Sequence, residues 1–384
     1  MTRVFVWLRT LTSPQRNTMI AAIVVSIILF LLYWLKFDSN IIGFFRVGDT
    51  LPFSPYLNLE TAKIYQGELG FDGQQFLSIA FDPLLQNPDT VKTLDSAPLR
   101  YRRIFYPLVS YILAAGNRQL IPYIMVGINA IAIAIIVWIV SCYHEVNKYP
   151  QFPALLVLLL PGVWIVLSLS TADLLNSALV LAALYSYRIK QLPWMAVWIA
   201  IASLTRETSL VMWFSLLVVS IWEQQYRAIK PLILAVIPPI VWNSYVLIRF
   251  HDQGVLGVNA NFGYPFAGIV EKFKLLFVDN FSGKDSFEIY CFGLLVIVFI
   301  FNLVFGKINQ SENKIIAIGS MIYGIMFLMS SIAMLSYFLN YPRQFINPYF
   351  LFLLLQGSKR MRWSQSCIAG LLGVSSLVFL LGHS

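Results

Sequence analysis

The sequence predicts an all-α polytopic membrane protein with about eleven transmembrane helices. Of its 384 residues, 58% are hydrophobic and only 12% are charged, whereas soluble domains carry roughly 25% charged residues. Residues 19–35 and 120–143 contain no charged side chain at all. Because about 20 apolar residues cross the hydrocarbon core of a bilayer, runs of this length exclude a soluble globular domain.

The first predicted span follows the basic residues Arg3, Arg9 and Arg16. Its apolar run is too long for the core of a signal peptide and has no small-residue cleavage pattern, so we expect it to remain as an anchor. Two later spans, 192–204 and 345–356, are short for a full crossing. The predicted spans are 18–36, 119–141, 152–169, 172–188, 192–204, 207–222, 231–249, 288–306, 314–338, 345–356 and 364–382.

Residues 104–116 decide the predicted topology. This apolar run has 13 residues, about 20 Å of helix, and a crossing here would place the later basic loops outside. If the run lies along the membrane surface, 13 of the 27 Lys and Arg residues fall in the N-terminus and short cytoplasmic loops, as the positive-inside rule requires. We therefore predict a juxtamembrane helix, a cytoplasmic N-terminus and two outer loops, 37–103 and 250–287.

This topology divides the chain into five segments. They are a cytoplasmic lead with the first span (1–36), an outer loop with juxtamembrane helices (37–118), a core bundle (119–249), a second outer loop (250–287) and C-terminal spans (288–384). The polar part of the first outer loop holds eight of the 18 acidic residues. Because catalytic residues often lie on loops held by a rigid scaffold, we expect the chemistry there.

The first candidate for chemistry is Asp72, within the run Gly70-Phe71-Asp72-Gly73-Gln74. The flanking glycines allow a sharp turn with the carboxylate at its tip. The apolar residues that follow fall on one helical face, which is typical of a helix at the membrane interface. Such a carboxylate could accept a proton from a substrate hydroxyl; an ordinary Asp-Gly turn is the alternative.

The second candidate is the run Arg100-Tyr101-Arg102-Arg103 at the start of the juxtamembrane segment. Guanidinium groups bind phosphate oxygens in a bidentate manner, so this run suits a phosphate ligand. Anchoring to anionic lipid headgroups is the alternative. The positive-inside rule weakens that alternative slightly, because this group of arginines lies on the predicted outer face.

Further charges lie near the outer ends of predicted spans: Asp173, Arg206, Glu207 and Arg343. Ionisable residues at membrane depth are costly and therefore indicate function. The structural alternative is that Arg206 pairs with Asp173 or Glu207 and holds the bundle together.

The remaining polar residues carry little signal. His144, His251 and His383 have no metal-ligand spacing, and the three cysteines indicate neither a disulfide framework nor a metal site. The net charge of +9 does not indicate nucleic acid, because most Lys and Arg residues lie in short loops between spans. Lysines of the second outer loop, Lys272 among them, are expected to be solvated.

Taken together, these features resemble the GT-C superfamily of membrane glycosyltransferases, and especially bacterial proteins related to the GPI mannosyltransferases. The likeness rests on segments 70–83, 100–107 and 204–208 and on the order of one span, a long outer loop and a bundle; it covers about the first 225 residues. The resemblance implies a GT-C-like bundle in the bacterial inner (plasma) membrane. It also implies an inverting transfer of a sugar from a polyprenyl-phosphate donor to a glycan, lipid or protein acceptor at the extracytoplasmic face.

The resemblance also assigns roles to residues. An acidic residue of the first outer loop acts as the base in that family, which implies Asp72 or Asp49; many members carry paired acids where this chain has the single Asp49. Lone carboxylates suit either a metal-free site or one weakly bound divalent cation, Mg²⁺ or Mn²⁺, and no set of protein metal ligands is expected. The donor phosphate is expected on Arg102, Arg103, Arg206 and Arg343, with Gln74, Asp173 and Glu207 in support.

Two other functions are open on this sequence. A transporter or flippase for lipid-linked glycans would be expected to show inverted repeats and paired broken helices, and none is evident. A polymerase or ligase for glycan repeats would also need outer-face arginines, and only the Asp72 segment separates it from a monosaccharide transferase. The expected partners are the lipid-linked donor, its acceptor and membrane lipids, with no nucleic acid.

Overall fold

Helices make up most of the described chain, which agrees with the predicted all-α class. The computed structural model describes residues 11–145, 154–251, 261–278, 283–306, 311–355 and 358–382. The sequence-based topology also used residues outside these ranges, namely Arg3, Arg9, Lys148, Lys307 and parts of the second outer loop at 252–260 and 279–282.

A small parallel sheet lies in the first outer loop, and the all-α prediction omitted it. Val47 pairs with Ile64 and Gly48 with Tyr65. The elements of this region are α1 (Ser13–Leu31), a π-helical turn (Leu32–Lys36), a 3₁₀ helix (Ile41–Phe45), β1 (Val47–Gly48), β2 (Ile64–Tyr65), α2 (Asp72–Phe81), α3 (Pro88–Lys92), α4 (Ala97–Tyr101) and α5 (Phe105–Leu113).

The rest of the described chain is helical, apart from turns and one isolated bridge between Phe262 and Ser330. Two 3₁₀ helices occur at Ala154–Leu159 and Glu207–Ser209. The α-helices are α6 (Ile121–Glu145), α7 (Pro161–Leu169), α8 (Asp173–Arg188), α9 (Leu192–Thr205), α10 (Leu210–Trp222), α11 (Tyr226–Ala235), α12 (Ile237–Arg249), α13 (Ala267–Val278), α14 (Gly283–Phe305), α15 (Ser311–Leu328), α16 (Ile332–Leu335), α17 (Tyr341–Gln344), α18 (Ile346–Leu354) and α19 (Lys359–Leu380).

Several helices begin where local sequence signals place them. The backbone N–H of Thr12 donates to Gln15 Oε1 at 3.0 Å at the start of α1, one half of a capping box. Pro161 and Pro193 stand in the first turns of α7 and α9, where the missing proline N–H costs no helical hydrogen bond. Ser358 Oγ accepts from the backbone of the first turn of α19.

Five helical stretches of the described chain are long and apolar enough to cross a membrane: Ser13–Lys36, Ile121–Glu145, Tyr226–Arg249, Gly283–Phe305 and Lys359–Leu380. The other predicted spans correspond to shorter helices. The helices α7 and α18 have nine residues each, all of them buried in the protein, and nine residues extend only about 14 Å. The count of eleven spans therefore stays a prediction.

Helix α2, which begins at Asp72, is enclosed by the protein. All ten of its residues are buried, so the expectation of a helix with one face at the membrane interface is wrong. The ring of Phe76 packs edge-on against Tyr106 of α5 at 5.8 Å, and the Tyr106 hydroxyl donates to the Met125 carbonyl of α6 at 3.0 Å. This packing holds α2 in place against α5 and α6.

Lys272 of α13 is buried, so the expectation that it is solvated is wrong. The side chain is 2% exposed, and its Nζ lies 2.6 Å from a Glu288 carboxylate oxygen and 3.0 Å from the Ser336 carbonyl. The Tyr341 hydroxyl donates to the same carboxylate at 3.1 Å. This network ties the second outer loop to α14 and to α17, which carries Arg343.

Candidate functional site

Asp72 is the first residue of α2, and neighbouring residues fix its place. Gly70 has φ +77°, a conformation that favours glycine, and the Gln74 side chain accepts from the Gly48 backbone N–H at 2.9 Å. A Cβ on Gly73 would lie 2.1 Å from the Leu169 carbonyl oxygen. Glycine at this position therefore allows α2 to approach the end of α7.

Three guanidinium groups surround the Asp72 carboxylate. Arg100 Nη1 donates to Oδ1 at 2.8 Å, Arg343 Nη1 lies 2.8 Å from Oδ2, and Arg103 Nη1 lies 3.8 Å from Oδ2. Arg100 lies in α4, Arg103 follows α4, and Arg343 belongs to α17. Segments 240 residues apart thus meet at one carboxylate.

Two of these arginines are also bound to carboxylates at the rim of the site. Arg100 donates to both Asp95 oxygens at 2.8 and 2.6 Å. Arg103 donates to both Glu207 oxygens at 2.9 and 2.5 Å, and the Glu207 side chain is 44% exposed. Bidentate pairs hold the guanidinium planes in one orientation, so both arginines are fixed before any ligand arrives.

A fourth arginine, Arg206 at the end of α9, forms an ion pair with Asp173 at the start of α8. The Thr171 hydroxyl donates to the same carboxylate at 2.6 Å, and Arg206 Nη2 donates to Gln344 Oε1 at 2.5 Å. The pair between Arg206 and Asp173 is the structural alternative considered from the sequence. Arg206 nevertheless also lines the cavity next to Asp72.

The charges around Asp72 determine its protonation. Burial alone would raise the pKa of this carboxyl, but the positive charges of Arg100, Arg343 and Arg103 outweigh burial and hold the pKa well below its ordinary value of 3.8. Asp72 is therefore a carboxylate at neutral pH. Its position at the N-terminus of α2 also favours the negative charge.

Two buried guanidinium nitrogens in the site have neither a hydrogen-bond partner nor an ion-pair partner among the described residues. They are Nε of Arg206 and Nε of Arg343. The two residues are 2% and 3% exposed, respectively. Leaving a buried charged donor unsatisfied is costly. Such donors are suited to an anionic ligand, since guanidinium groups bind phosphate oxygens directly.

Asp72 and the four arginines face a cavity of about 400 Å³. Its wall also contains apolar residues such as Phe262 and Met334, so a ligand with both charged and apolar parts would fit its lining. The charged and amide side chains that line it are Asp72, Gln75, Asp95, Arg100, Arg103, Arg206, Glu207, Asn261, Asn340, Arg343 and Gln344.

Some residues predicted from the sequence lie away from the cavity. Asp49 is exposed, and its Oδ1 accepts from the Gly67 backbone N–H at 2.8 Å. Gln74 is bound to the Gly48 backbone. Arg102 does not line the cavity, and its buried Nε has no hydrogen-bond partner among the residues that the structure describes.

Sequence reasoning included Arg100 in the candidate basic run but did not assign it to the donor phosphate, and it missed Asp95 and Gln344 as site residues. Arg100 stands in the same basic run as the two arginines that were chosen, and Gln344 directly follows Arg343. These neighbours are the signal that could have found them. Asp95 carries no comparable pattern.

The immediate surroundings of Asp72 do not favour a divalent cation. No group of three or more His, Cys, Asp or Glu side chains in the described residues is arranged to hold a metal. Asp72, the innermost carboxylate, already lies among three guanidinium groups. A Mg²⁺ or Mn²⁺ ion there would be repelled by those positive charges.

Comparison of the chain with protein-family models, with curated proteins and with solved structures finds no match to any of them.

Proposed function

We propose that this protein is a membrane glycosyltransferase that transfers a sugar from a polyprenyl-phosphate donor to an acceptor hydroxyl. The reaction takes place at the extracytoplasmic face of the bacterial plasma membrane, on a glycan, lipid or protein of the cell envelope. One observation carries the proposal: four arginines line a single cavity together with a buried carboxylate, in a chain whose helices suit a membrane. Arginines suit the donor phosphate, and the carboxylate suits the acceptor hydroxyl.

The donor phosphate binds between Arg206 and Arg343. Both side chains are buried and each presents an Nε–H that has no partner among the described residues. A phosphodiester offers oxygens that accept from such groups in charge-assisted hydrogen bonds. Apolar residues in the cavity wall, such as Met334, contact the uncharged parts of the substrates.

Asp72 accepts the proton of the acceptor hydroxyl. The acceptor oxygen bonds to the anomeric carbon while the bond from that carbon to the phosphate oxygen breaks, and its electron pair moves to the lipid phosphate. Because the attacking oxygen approaches opposite the leaving phosphate, the anomeric configuration is inverted. The released phosphate gains a negative charge, which the fixed guanidinium groups of Arg206 and Arg343 stabilise.

Donor binding and the basicity of Asp72 are linked in this mechanism. A carboxylate with a strongly lowered pKa is a weak base, and three arginines lower the pKa of Asp72. When the donor phosphate engages Arg343, that side chain shares its charge between the phosphate and Asp72. Asp72 then loses part of its stabilisation and becomes more basic in the donor complex.

The remaining polar residues position this machinery. Glu207 orients Arg103 through a bidentate pair, and Asp173 orients Arg206. Gln74 joins α2 to β1 next to Asp72. These are positioning roles, since each side chain acts through another residue.

The proposal is tested with the purified full-length protein and a panel of polyprenyl-phosphate sugars, with release of polyprenyl phosphate as the readout. We expect release with at least one donor, and a product of inverted anomeric configuration. Neither release nor binding with any donor would contradict the proposal. Movement of an intact lipid-linked sugar across a vesicle membrane, without bond cleavage, would indicate a transporter instead.

A further inference from the structure

We infer that a second, smaller cavity beside the Asp72 site binds a phosphate group carried by the acceptor; this inference rests on the proposed function. The cavity has a volume of about 240 Å³ and lies at the end of the π-helical turn that follows α1. Three basic side chains line it, Lys36, Arg46 and Lys63. No acidic side chain of the described residues lines it.

Two of the three cations are fixed by carboxylates outside the cavity wall. Arg46 Nε and Nη2 donate to both Glu68 oxygens at 2.8 and 3.0 Å. Lys63 Nζ donates to Asp38 at 2.6 Å and to the Lys36 carbonyl at 3.0 Å. The Asp38 side chain is 78% exposed, so solvent screens its charge strongly.

Lys36 is the cation without a counterion. Among the residues that the structure describes, no carboxylate lies within ion-pair distance of its Nζ, which instead lies 4.7 Å from the centre of the Phe379 ring. Three positive charges against two carboxylates leave the cavity with one excess positive charge. A partly buried ammonium of this kind gains most from an anionic ligand.

The second cavity lies beside the first, and Phe71 and Arg46 stand between them. The Arg46 guanidinium lies 5.3 Å from the centre of the Phe71 ring, and Phe71 lines the first cavity and directly precedes Asp72. Leu339 lines the second cavity and Asn340 the first. The two cavities therefore border each other at Phe71 and at the Leu339–Asn340 backbone.

The anion in the second cavity belongs to the acceptor because the donor phosphate has another place. In an inverting transfer the donor phosphate leaves on the side of the anomeric carbon opposite the acceptor oxygen. Arg206 and Arg343 supply that phosphate site in the proposed function. A second phosphate, held by Lys36, Arg46 and Lys63, suits an acceptor that is itself a phosphate-bearing lipid or glycan.

The test measures binding of octyl phosphate to the full-length protein in neutral phosphatidylcholine nanodiscs, using isothermal titration calorimetry. We expect two sites per chain, and Lys36→Gln should weaken one of them at least about tenfold, since a charge-assisted hydrogen bond is lost. Lys36→Arg should retain that site. Lys92→Gln, which alters an exposed lysine paired with Asp89, should bind like the wild-type protein.

Unchanged affinity and stoichiometry in Lys36→Gln would overturn the inference. Displacement of octyl phosphate from the Lys36 site by dioctanoyl phosphatidylglycerol, at lower concentration than octyl phosphate itself needs, would support the inference and would identify the acceptor as a phosphate-bearing lipid. These binding results do not depend on turnover. They therefore decide the second site even if no donor is cleaved and the proposed function fails.

Where turnover is found, the two cavities can be separated kinetically. Lys36→Gln should raise the acceptor KM while leaving the donor KM within about twofold, because Lys36 lines the second cavity and not the first. A rise in donor KM without a change in acceptor KM would assign the second cavity to the donor and contradict the inference.

Discussion

Asp72 is a carboxylate held by guanidinium groups, and this environment defines what it can do. Ion pairs with Arg100 and Arg343 at 2.8 Å keep it charged. A charged carboxylate is ready to receive a proton but holds it weakly. Its service as a base therefore depends on a second anion that competes for the same arginines, which the donor phosphate would supply.

Arg343 and Arg102 make a matched pair for testing the phosphate site. Arg343→Gln should raise the donor KM at least about tenfold, because a hydrogen bond to a charged group contributes about 1.5–3 kcal/mol. Arg102→Gln should change it less than about twofold, since Arg102 does not line the cavity. Steady-state kinetics with varied donor, together with melting temperatures of both variants, provide the comparison. An equal rise in the donor KM of both variants would show that the cavity does not bind the donor phosphate.

The lowered pKa of Asp72 also predicts how stability depends on pH. The unfolded carboxyl has a pKa of about 3.9 and the folded one lies below that, so the ion pairs contribute fully above the unfolded pKa. Their contribution is lost only as pH falls from there towards the folded pKa. The difference in melting temperature between wild-type protein and Asp72→Asn should thus stay constant from about pH 5 to 8.

Below about pH 4 the same difference should shrink. Scanning calorimetry in detergent across the pH series measures it. A difference in melting temperature that already shrinks between about pH 7 and 5 would indicate a raised pKa of Asp72. It would contradict the stabilisation of this carboxylate by the three surrounding arginines.

At this scale the sequence located the right residue types but not every position. Asp72, Arg103, Arg206 and Arg343 were predicted, and they line one cavity. Arg102 was assigned to the donor phosphate, but Arg100, two residues earlier, is the arginine that lines the cavity. This difference shows why the remaining site positions could not be predicted. The direction in which each arginine side chain of this run points depends on where the helix ends, here at Tyr101. Helix ends are the least certain part of a prediction from sequence.

Contact between α2 and the end of α7 is what places Asp72, and glycine makes it possible. Gly73→Ala would bring a Cβ to 2.1 Å from the Leu169 carbonyl, so α2 has to shift. We expect a loss of stability of about 1–3 kcal/mol and a fall in transfer rate of at least about tenfold, since small displacements of catalytic groups are costly.

Gly127→Ala is the matched control for that substitution. Gly127 lies in α6, and in the described part of the chain no atom beyond the local helix backbone lies within 4 Å of the position that an alanine Cβ would take there. Alanine also favours helix more than glycine does. Melting temperature and activity of this variant should equal or exceed those of the wild-type protein. Wild-type behaviour of Gly73→Ala would show that α2 does not need its close approach to α7.

At the scale of elements, apolar periodicity identified helices more reliably than it identified their surroundings. The helix at 72–81 was expected at the membrane interface, yet all ten residues are buried. Similarly, Lys272 was expected in solvent and is enclosed with Glu288. An apolar face looks the same in a sequence whether lipid or protein covers it, and only tertiary packing decides between them.

The predicted topology of the whole molecule places the first outer loop and the C-terminal basic cluster on opposite sides of the membrane. Thr61→Cys and Lys359→Cys, each in a Cys367→Ser background, test this because positions 61 and 359 are exposed and the other two native cysteines are buried. A membrane-impermeant maleimide should label Thr61→Cys in intact cells. It should label Lys359→Cys only after permeabilisation.

Labelling in the reverse order would contradict the topology and would move the proposed reaction to the cytoplasm. The positive-inside rule supports the orientation, but five long helices among the described residues do not fix which side each end faces. Composition was enough to predict a helical membrane protein. The number of crossings was not predictable in the same way. Buried nine-residue helices such as α7 are as apolar as a membrane span, so composition does not distinguish the two.

The central claim, that sugar is transferred in the cavity built around Asp72, is tested most directly by comparing two carboxylates of the same loop. With a cleavable polyprenyl-phosphate sugar, Asp72→Asn should lower the rate of polyprenyl phosphate release by about 10²- to 10⁴-fold, the usual contribution of a general base. Asp49→Asn should stay within about twofold, because Asp49 is exposed and its carboxylate accepts from the Gly67 backbone, away from the cavity. Near-normal release by Asp72→Asn, or the loss appearing in Asp49→Asn instead, would contradict the account.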